Sequence, residues 1–511
     1  LEHPRAERGQ HPGRVLGRRG RHREGTVDGV EVVAHAGEGT IPALAEHAFD
    51  HRADALMDLL DALSSTPAAR SVVELSLSSF FRRGYGSAYD AIAHLFQASD
   101  PETAVEEERA WEQKLLRLKV AYLLPPQDRK FWLLGTDAVS IPRLFAQTLE
   151  DRTFVYQPNI PRGNKPITIG HQYSAQVIYP EKDQSNDPPW VVPLSTRRIR
   201  SEETATTVAK EQIDALMEDE TLPFREELCV HVADSTYSAV LFLGATEEHK
   251  NLVNVVRLRS NRVFYRQPEP VTGERKPGRP PWYGEPFSMK DPTTWGEPDV
   301  LEETTLTTRK GQTYQVQLEG WYGLLMRGKK DLPMHQKPFT LIRVRVLDEQ
   351  GHPIFQHSLW LIVIGQRRAE LTLVEAWEAY AQRFDVEHYF RFGKQRLLMA
   401  AFQTPEVSHE ENWLAFVSLV YMQLWLAREV VEALPRPWEQ YLAQPEGQVA
   451  SPSAVQRDLS RILREIGTPA QPPKPRGNSP GRAKGTRLAR RKRHRVVKKS
   501  QTTRKTASSS T

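Results

Sequence analysis

Apolar residues between positions 47 and 127 recur at the three-to-four spacing of a helix, as in Ala55-Leu56-Met57-Asp58-Leu59-Leu60 and from Ala104 through Trp111 to Leu118. The period then changes. Residues 130–137 read as a hydrophobic strand ending in an acid. Residues 153–156, 174–179 and 190–194 read as further strands, joined by turn-rich stretches such as Pro161-Arg162-Gly163-Asn164. Helical spacing returns over 203–220, and a second apolar strand, 227–234, again closes on an acid. Strands alternating with a helix predict an α/β layer architecture. Residues 250–370 break the rhythm: Pro and Gly are dense from 268 to 298, and β-like runs follow at 313–318, 339–346 and 358–364. These features predict a largely β insertion, after which the chain re-enters the core through a long helix. A last apolar helical region runs to about residue 466.

The long helix carries an unusual pattern. Tyr380, Arg383, Glu387 and Lys394 follow one another at spacings of 3, 4 and 7, which at about 100° per residue keeps them within a stripe roughly 60° wide on a single helix. Arg391 falls in the same stripe. Glu375, Glu378, Gln382, Asp385 and Arg396 form a second polar face nearly opposite. A surface helix ordinarily has one polar face, so one of these two is expected to turn inward.

Composition narrows the classes. One cysteine, Cys229, excludes a disulfide framework and a cysteine-rich zinc site and fits a reducing, cytoplasmic setting. The longest uncharged apolar run, 413–427, has 15 residues, short of the roughly 20 that a membrane span needs. It is expected to be a core helix. Net charge is +5, but residues 471–511 hold 14 Lys or Arg and no acid, which leaves −9 on residues 1–470. That tail, set among Pro, Gly, Ser and Thr, reads as a disordered basic arm able to meet nucleic acid. Residues 1–45 are of low complexity and read as disordered or as a translated upstream region, the first methionine being Met57.

Asp137 and Asp234 each close a hydrophobic strand, and Glu387 is the inward acid of the helix. Three carboxylates on separate elements can converge at the rim of a sheet. Their hard oxygen atoms suit Mg²⁺ or Mn²⁺, and a pair of such ions supports in-line phosphoryl transfer. Arg383, Arg391 and Lys394 would neutralise phosphates, and Tyr380 would hydrogen-bond one or pack on a sugar. His171 and His231, near the expected sheet, read as structural residues.

On these residues the chain resembles a known family. Tyr380-x2-Arg383-x3-Glu387-x6-Lys394 matches the YREK signature of bacterial DDE transposases of the insertion-sequence-four type. Asp137, in Gly135-Thr-Asp-Ala-Val-Ser-Ile-Pro-Arg143, and Asp234, in Val232-Ala-Asp-Ser-Thr-Tyr-Ser238, look like the first two acids of the triad, with Asp151 as a rival to Asp137. The stretch Asn164-Lys-Pro-Ile-Thr-Ile-Gly-His-Gln-Tyr-Ser174 is also similar. The resemblance implies a ribonuclease H-like core interrupted by a β-rich insertion between the second Asp and the Glu, which here are separated by 152 residues. It further implies two metal ions, double-stranded DNA as substrate, cleavage at transposon ends, joining of the 3′-hydroxyls to target DNA, and a homodimer in the DNA complex. Trp282, Trp295 and Trp321 are candidates for the insertion-domain aromatic that holds a flipped base in some relatives. Arg275-Lys-Pro-Gly-Arg-Pro-Pro281 partly resembles a minor-groove hook.

The expected organisation is therefore an N-terminal helical region at 46–128 that binds DNA ends and a core in two parts, 129–249 and 371–400. Around them come the insertion at 250–370, a C-terminal helical region at 401–466 and the basic tail at 467–511. A transposase-derived DNA-binding protein that no longer cuts, and a metal nuclease that cannot join ends, remain as alternatives.

Overall fold

The computed structural model describes residues 24–27, 30–33, 47–100, 102–157, 165–182, 187–269, 281–308, 311–329, 331–431, 449–475, 481, 483–487 and 489–498. Residues 275–280 of the expected hook, and Asn164 with the turn before it, lie outside them. The described chain is a mixed α/β structure built on a ten-stranded sheet. A separate hairpin, β1 (Glu24–Val27) and β2 (Val30–Val33), lies at the N-terminal end.

The centre of the sheet comprises β3 (Trp132–Pro142), β5 (Ile167–Ile178), β6 (Val192–Ile199), β7 (Cys229–Ala233) and β8 (Leu252–Arg257), with the short β4 (Thr153–Tyr156) also on β5. β3, β5 and β6 run antiparallel in turn, whereas β7 lies parallel to β3 and β8 parallel to β7. This spatial order, β6-β5-β3-β7-β8, is consistent with the expected ribonuclease H-like core. β7 is buried at every position, as a parallel strand covered on both faces must be. α4 (Ala205–Met217) and α5 (Val240–Thr246) cover one face.

The β-rich region continues this same sheet. β14 (Leu359–Ile364) pairs antiparallel with β8, and β13 (Phe339–Leu347), β12 (Thr313–Leu324) and β11 (Val300–Thr307) follow outward. β8 falls inside the span expected to be insertion, yet it pairs with the core; its run Leu252-Val253-Asn254-Val255-Val256 is buried throughout, and only a central position satisfies it. A small hairpin of β9 (Val263–Tyr265) and β10 (Pro286–Ser288) forms its own two-stranded sheet, bridged by Tyr265 to Leu325 just after β12 and packed into the core through Phe264 and Phe287.

The helices before and after the core pack together. α8 (Val407–Ala427) is buried nearly all round, as the apolar run 413–427 predicted, and no helix among the described residues is long and apolar enough to cross a membrane. α1 (Ala53–Ser65), α2 (Tyr85–Ala93), α3 (Ala104–Ala121) and α9 (Pro452–Ile466) surround it or β6. Asn412 on α8 donates to the carbonyls of Ile92 and Phe96, and Gln456 on α9 to that of Leu63. The two helical regions, far apart in sequence, thus share one core.

α8 is tied to the sheet by a buried charge cluster. Glu410 accepts hydrogen bonds from Arg143, from the Tyr173 hydroxyl at 2.7 Å and from His171 Nδ1 at 2.7 Å. The other His171 nitrogen meets the Glu150 carbonyl at 2.9 Å, which can only accept. Burial alone would raise the Glu410 pKa, but His171, Arg143 and Tyr173 together hold it down at about 2. His231 is likewise structural: its nitrogens meet Thr136 and Asn254, each at 2.9 Å, and burial lowers its pKa to about 4.

The basic tail departs in part from the expected free arm. Residues 494–497 are tied to the loop after β3, with His494 N–H donating to the Gln147 carbonyl and Val497 N–H to that of Arg152, both at 2.8 Å. Arg152 binds the tail while its own loop already uses the rest of its guanidinium.

Replacing Glu410 by Gln would leave the Arg143 guanidinium buried without its counter-charge. Urea denaturation of Glu410→Gln is expected to show a loss of about 3–5 kcal/mol.

Candidate active site

Register places the first two acids side by side. β3 and β7 pair in parallel from Trp132↔Cys229 to Gly135↔Val232, and the same offset carries Asp137 to the level of Asp234. β7 ends at Ala233, so Asp234 leaves the sheet where Asp137 loses its parallel neighbour. Asp137 does not close its strand, as the sequence suggested. β3 runs on to Pro142 because the long β5 supplies partners as far as Gly170. Asp234 instead follows its strand directly and caps a 3₁₀ turn, accepting from Thr236 N–H at 2.8 Å.

The third acid arrives on a broken helix. α6 (Leu373–Gln382) begins at a capping box of Thr372 and Glu375 and ends two residues before α7 (Asp385–Arg396). The expected single helix is interrupted at Arg383 and Phe384. There the backbone switches to 3₁₀-type bonds, Arg383 N–H to the Tyr380 carbonyl, Val386 N–H to that of Arg383 and Glu387 N–H to that of Phe384. The Tyr179 hydroxyl donates to the Arg383 carbonyl at 3.2 Å, and a side chain inserted into the ladder is a recognised cause of such an elbow. Gly135 makes room for it, since a β-carbon there would fall 2.4 Å from the Tyr179 ring.

The second polar face holds the elbow from behind. Glu375 pairs with Lys130 at 2.8 Å and Asp385 with Lys182 at 2.6 Å. Gln382 accepts from Arg129 at 3.2 Å and donates to the Pro180 carbonyl at 2.7 Å. Both polar faces thus meet protein over the first turns.

Arg383 is the centre of the site. It is only 5% exposed, lies over the Phe384 ring at 4.6 Å, and reaches Asp137 at 3.6 Å and Glu387 at 3.1 Å. Burial raises the Asp137 pKa to about 6; Arg383 and the Ala138 N–H oppose that rise, whereas the charges of Asp234 and Glu387 add to it. Asp137 therefore senses both of the other acids. The Asp137 side chain is 20% exposed and that of Glu387 49%, so the cluster opens to solvent on the α7 side.

The remaining sequence-derived residues divide. Tyr380 is buried, near Arg383, Arg257 and Asp234, and burial raises its pKa, whereas Arg391 and Lys394 are exposed further along α7. Asp151 is paired with Arg198 at 2.6 Å and accepts from Ser201 N–H, so it stands outside the cluster. Trp321 and Trp295 pack with Phe287 and Trp360 inside the β-rich region. Trp282 is 40% exposed and stacks on His335 at 4.3 Å.

Three side chains escaped the sequence reading. Arg257 at the end of β8 comes level with Asp234, because Ala233 pairs with Val256 in parallel. Arg262 donates to the carbonyl and hydroxyl of Ser238, the last residue of the turn that Asp234 caps. Tyr237, in the same turn, is buried against Asp137 and Asp234, and burial first, then both charges, raise its pKa. Only register could have shown Arg257. Tyr237 lay within the quoted stretch around Asp234. A cavity of about 770 Å³ between α3, β6 and α8 contains none of the three acids.

Residues 44–321 match the family model of the DDE superfamily endonucleases, a span of more than half the chain that includes Asp137 and Asp234. The chain belongs to the DDE superfamily endonucleases. Comparison with curated proteins gave no match. Membership makes this a nuclease- or transposase-type enzyme acting on DNA, in a family that generally uses divalent metal. Glu387 lies beyond the matched span, so its place rests on the geometry above. Among the described residues no three Asp, Glu, His or Cys side chains stand close enough to hold a metal ion. The donor chemistry nevertheless fits one: three carboxylates share a rim, with Arg383 supplying positive charge between two of them.

An ordinary aspartate titrates near 3.8, and Asp137 at about 6 in the folded chain. The folded state then binds more protons between these values, and stability falls as pH rises through them. Asp137→Asn removes that penalty. Thermal melts are expected to show the variant more stable than wild type by about 2 kcal/mol at pH 7.5, with the advantage vanishing near pH 4.

Proposed function

We propose that this DDE superfamily endonuclease is a bacterial transposase of the insertion-sequence-four-like, YREK type, cutting DNA at transposon ends and joining the freed 3′-hydroxyls to target DNA. The observation that carries this reading is that Asp137 stands level with Asp234 on the neighbouring strand, feels the charges of Asp234 and Glu387, and shares Arg383 with Glu387, on elements in the order strand, strand, helix.

Asp137, Asp234 and Glu387 would hold the metal. When bound, a pair of Mg²⁺ or Mn²⁺ ions supplies activation of the attacking water or 3′-hydroxyl and stabilises the leaving oxygen. The protein's own side chains have distinct tasks. Arg383, fixed by the elbow, balances the acids before metal enters and sets the distance between Asp137 and Glu387. Arg257, level with Asp234, and the exposed Arg391 and Lys394 offer charge to the phosphates on either side of the acids. Tyr237 and Tyr380, both buried, close the floor and keep water from the back of the carboxylates. Arg262 steadies the turn that carries Asp234. The helical layer around α8, which includes residues 46–128, is the surface for transposon ends in this reading.

With Mg²⁺, the purified protein is expected to cleave DNA bearing its element's ends. Glu387→Gln should lower the rate by roughly 10³-fold or more, the equivalent of several kcal/mol of lost transition-state stabilisation, while end binding in a gel-shift assay persists. Undiminished cleavage by that variant would remove Glu387 from the triad. Cleavage without strand joining would identify a nuclease instead.

A further inference from the structure

The tail that docks beside β3 carries charge that the fold leaves unspent. From Arg490 to Lys498 there are six Lys or Arg. Arg491 pairs with Glu406 at the start of α8. No ion pair joins Arg490, Lys492, Arg493, Arg495 or Lys498 to any carboxylate among the described residues, and all five are exposed.

The backbone beneath them is fixed. His494 and Val497 are hydrogen-bonded to the loop at Gln147 and Arg152, and the buried Arg152 guanidinium clamps both sides. It donates to the carbonyls of Arg143, Leu144 and Leu149 within the loop and to that of His494 at 3.0 Å in the tail. A basic run with no partner costs self-repulsion when it is held in one place. Arg152 and the Arg491–Glu406 pair hold it nonetheless.

The loop that holds the strip carries Phe145, which is 90% exposed, and leads into β4, where exposed Phe154 and Tyr156 alternate with buried Thr153 and Val155. From Asp137 to Arg143 the strand spans about 20 Å at 3.3 Å per residue, the rise of about six base pairs.

We infer that residues 490–498, pinned by Arg152, form a docking strip for the phosphate backbone of duplex DNA, engaged without regard to sequence and some six base pairs from the acids. The inference rests on the DNA-cutting reading above and deepens it. An extended strip of Arg and Lys with no helix to enter a groove contacts phosphates, which position a duplex without reading it. Docking lowers the entropic cost that a free arm would meet on binding.

The test is binding of the full chain to a 30-base-pair duplex of random sequence, without divalent metal, over a range of salt. The variant combines Arg490→Gln, Lys492→Gln, Arg493→Gln, Arg495→Gln and Lys498→Gln. It is expected to bind at least tenfold more weakly, with the slope of log K against log salt shallower by about 3–4, and an unchanged melting temperature. Arg152→Gln keeps the five charges but should speed amide exchange at His494 and Val497 and weaken binding by a smaller factor. Unchanged affinity and slope in the five-site variant would overturn the strip. Unchanged affinity in Arg152→Gln would overturn the role of its docking. Because metal is absent, neither result depends on cleavage; wild-type protein that binds the duplex normally yet never cuts DNA would sink the catalytic reading alone.

Discussion

Three carboxylates gathered at one rim repel one another, and the site depends on how that repulsion is contained. Arg383 contains it: a buried guanidinium within 3.6 Å of Asp137 and 3.1 Å of Glu387, held against Phe384. Its position follows from the elbow between α6 and α7, and the elbow from Tyr179, which reaches the Arg383 carbonyl only because residue 135 is glycine. Lys130, Lys182 and Arg129 secure the far side. Arg383 thereby offsets part of the burial that raises the Asp137 pKa to about 6, a rise that costs stability at neutral pH.

Local pattern revealed what is locally determined. Asp234 stands where an apolar strand ends, the run 413–427 is a buried helix, and the acids occur in the order read from the chain. What depended on a distant partner was hidden. β3 looks finished at Asp137 until β5 is seen beside it, and β8 looks like insertion until its burial between β7 and β14 is known. The two helical regions are separated by the whole core, and no periodicity could announce that α8 joins them. The break at Arg383 was invisible for a related reason: no Gly or Pro marks it, and the interruption involves a tyrosine 204 positions earlier.

The charged side chains show the same distinction. Arg383 was expected to neutralise phosphates beside the metal-ligating Glu387, yet the arginine is buried and turned to Asp137 and Glu387, whereas Arg391 and Lys394 are exposed. Glu410, unremarkable in sequence, gathers Arg143, His171 and Tyr173 and fastens the helical layer to the strand that carries Asp137. β3 is thus held by ionic contacts at two places, by Arg383 at Asp137 in its middle and through Arg143 just past its end.

Pairing β14 with β8 also has a consequence for how this molecule stays folded in company. Without β14 to β11, β8 would present an open row of amides and carbonyls along an apolar strand, an invitation to join the sheet of another copy. The outermost strand, β11, instead offers Glu302, Glu303 and several threonines, a polar border poorly suited to such growth. β11 to β14 therefore cover an edge that would otherwise be open, and a shortened form that kept every acid but lacked these strands would expose β8 to pairing with another copy.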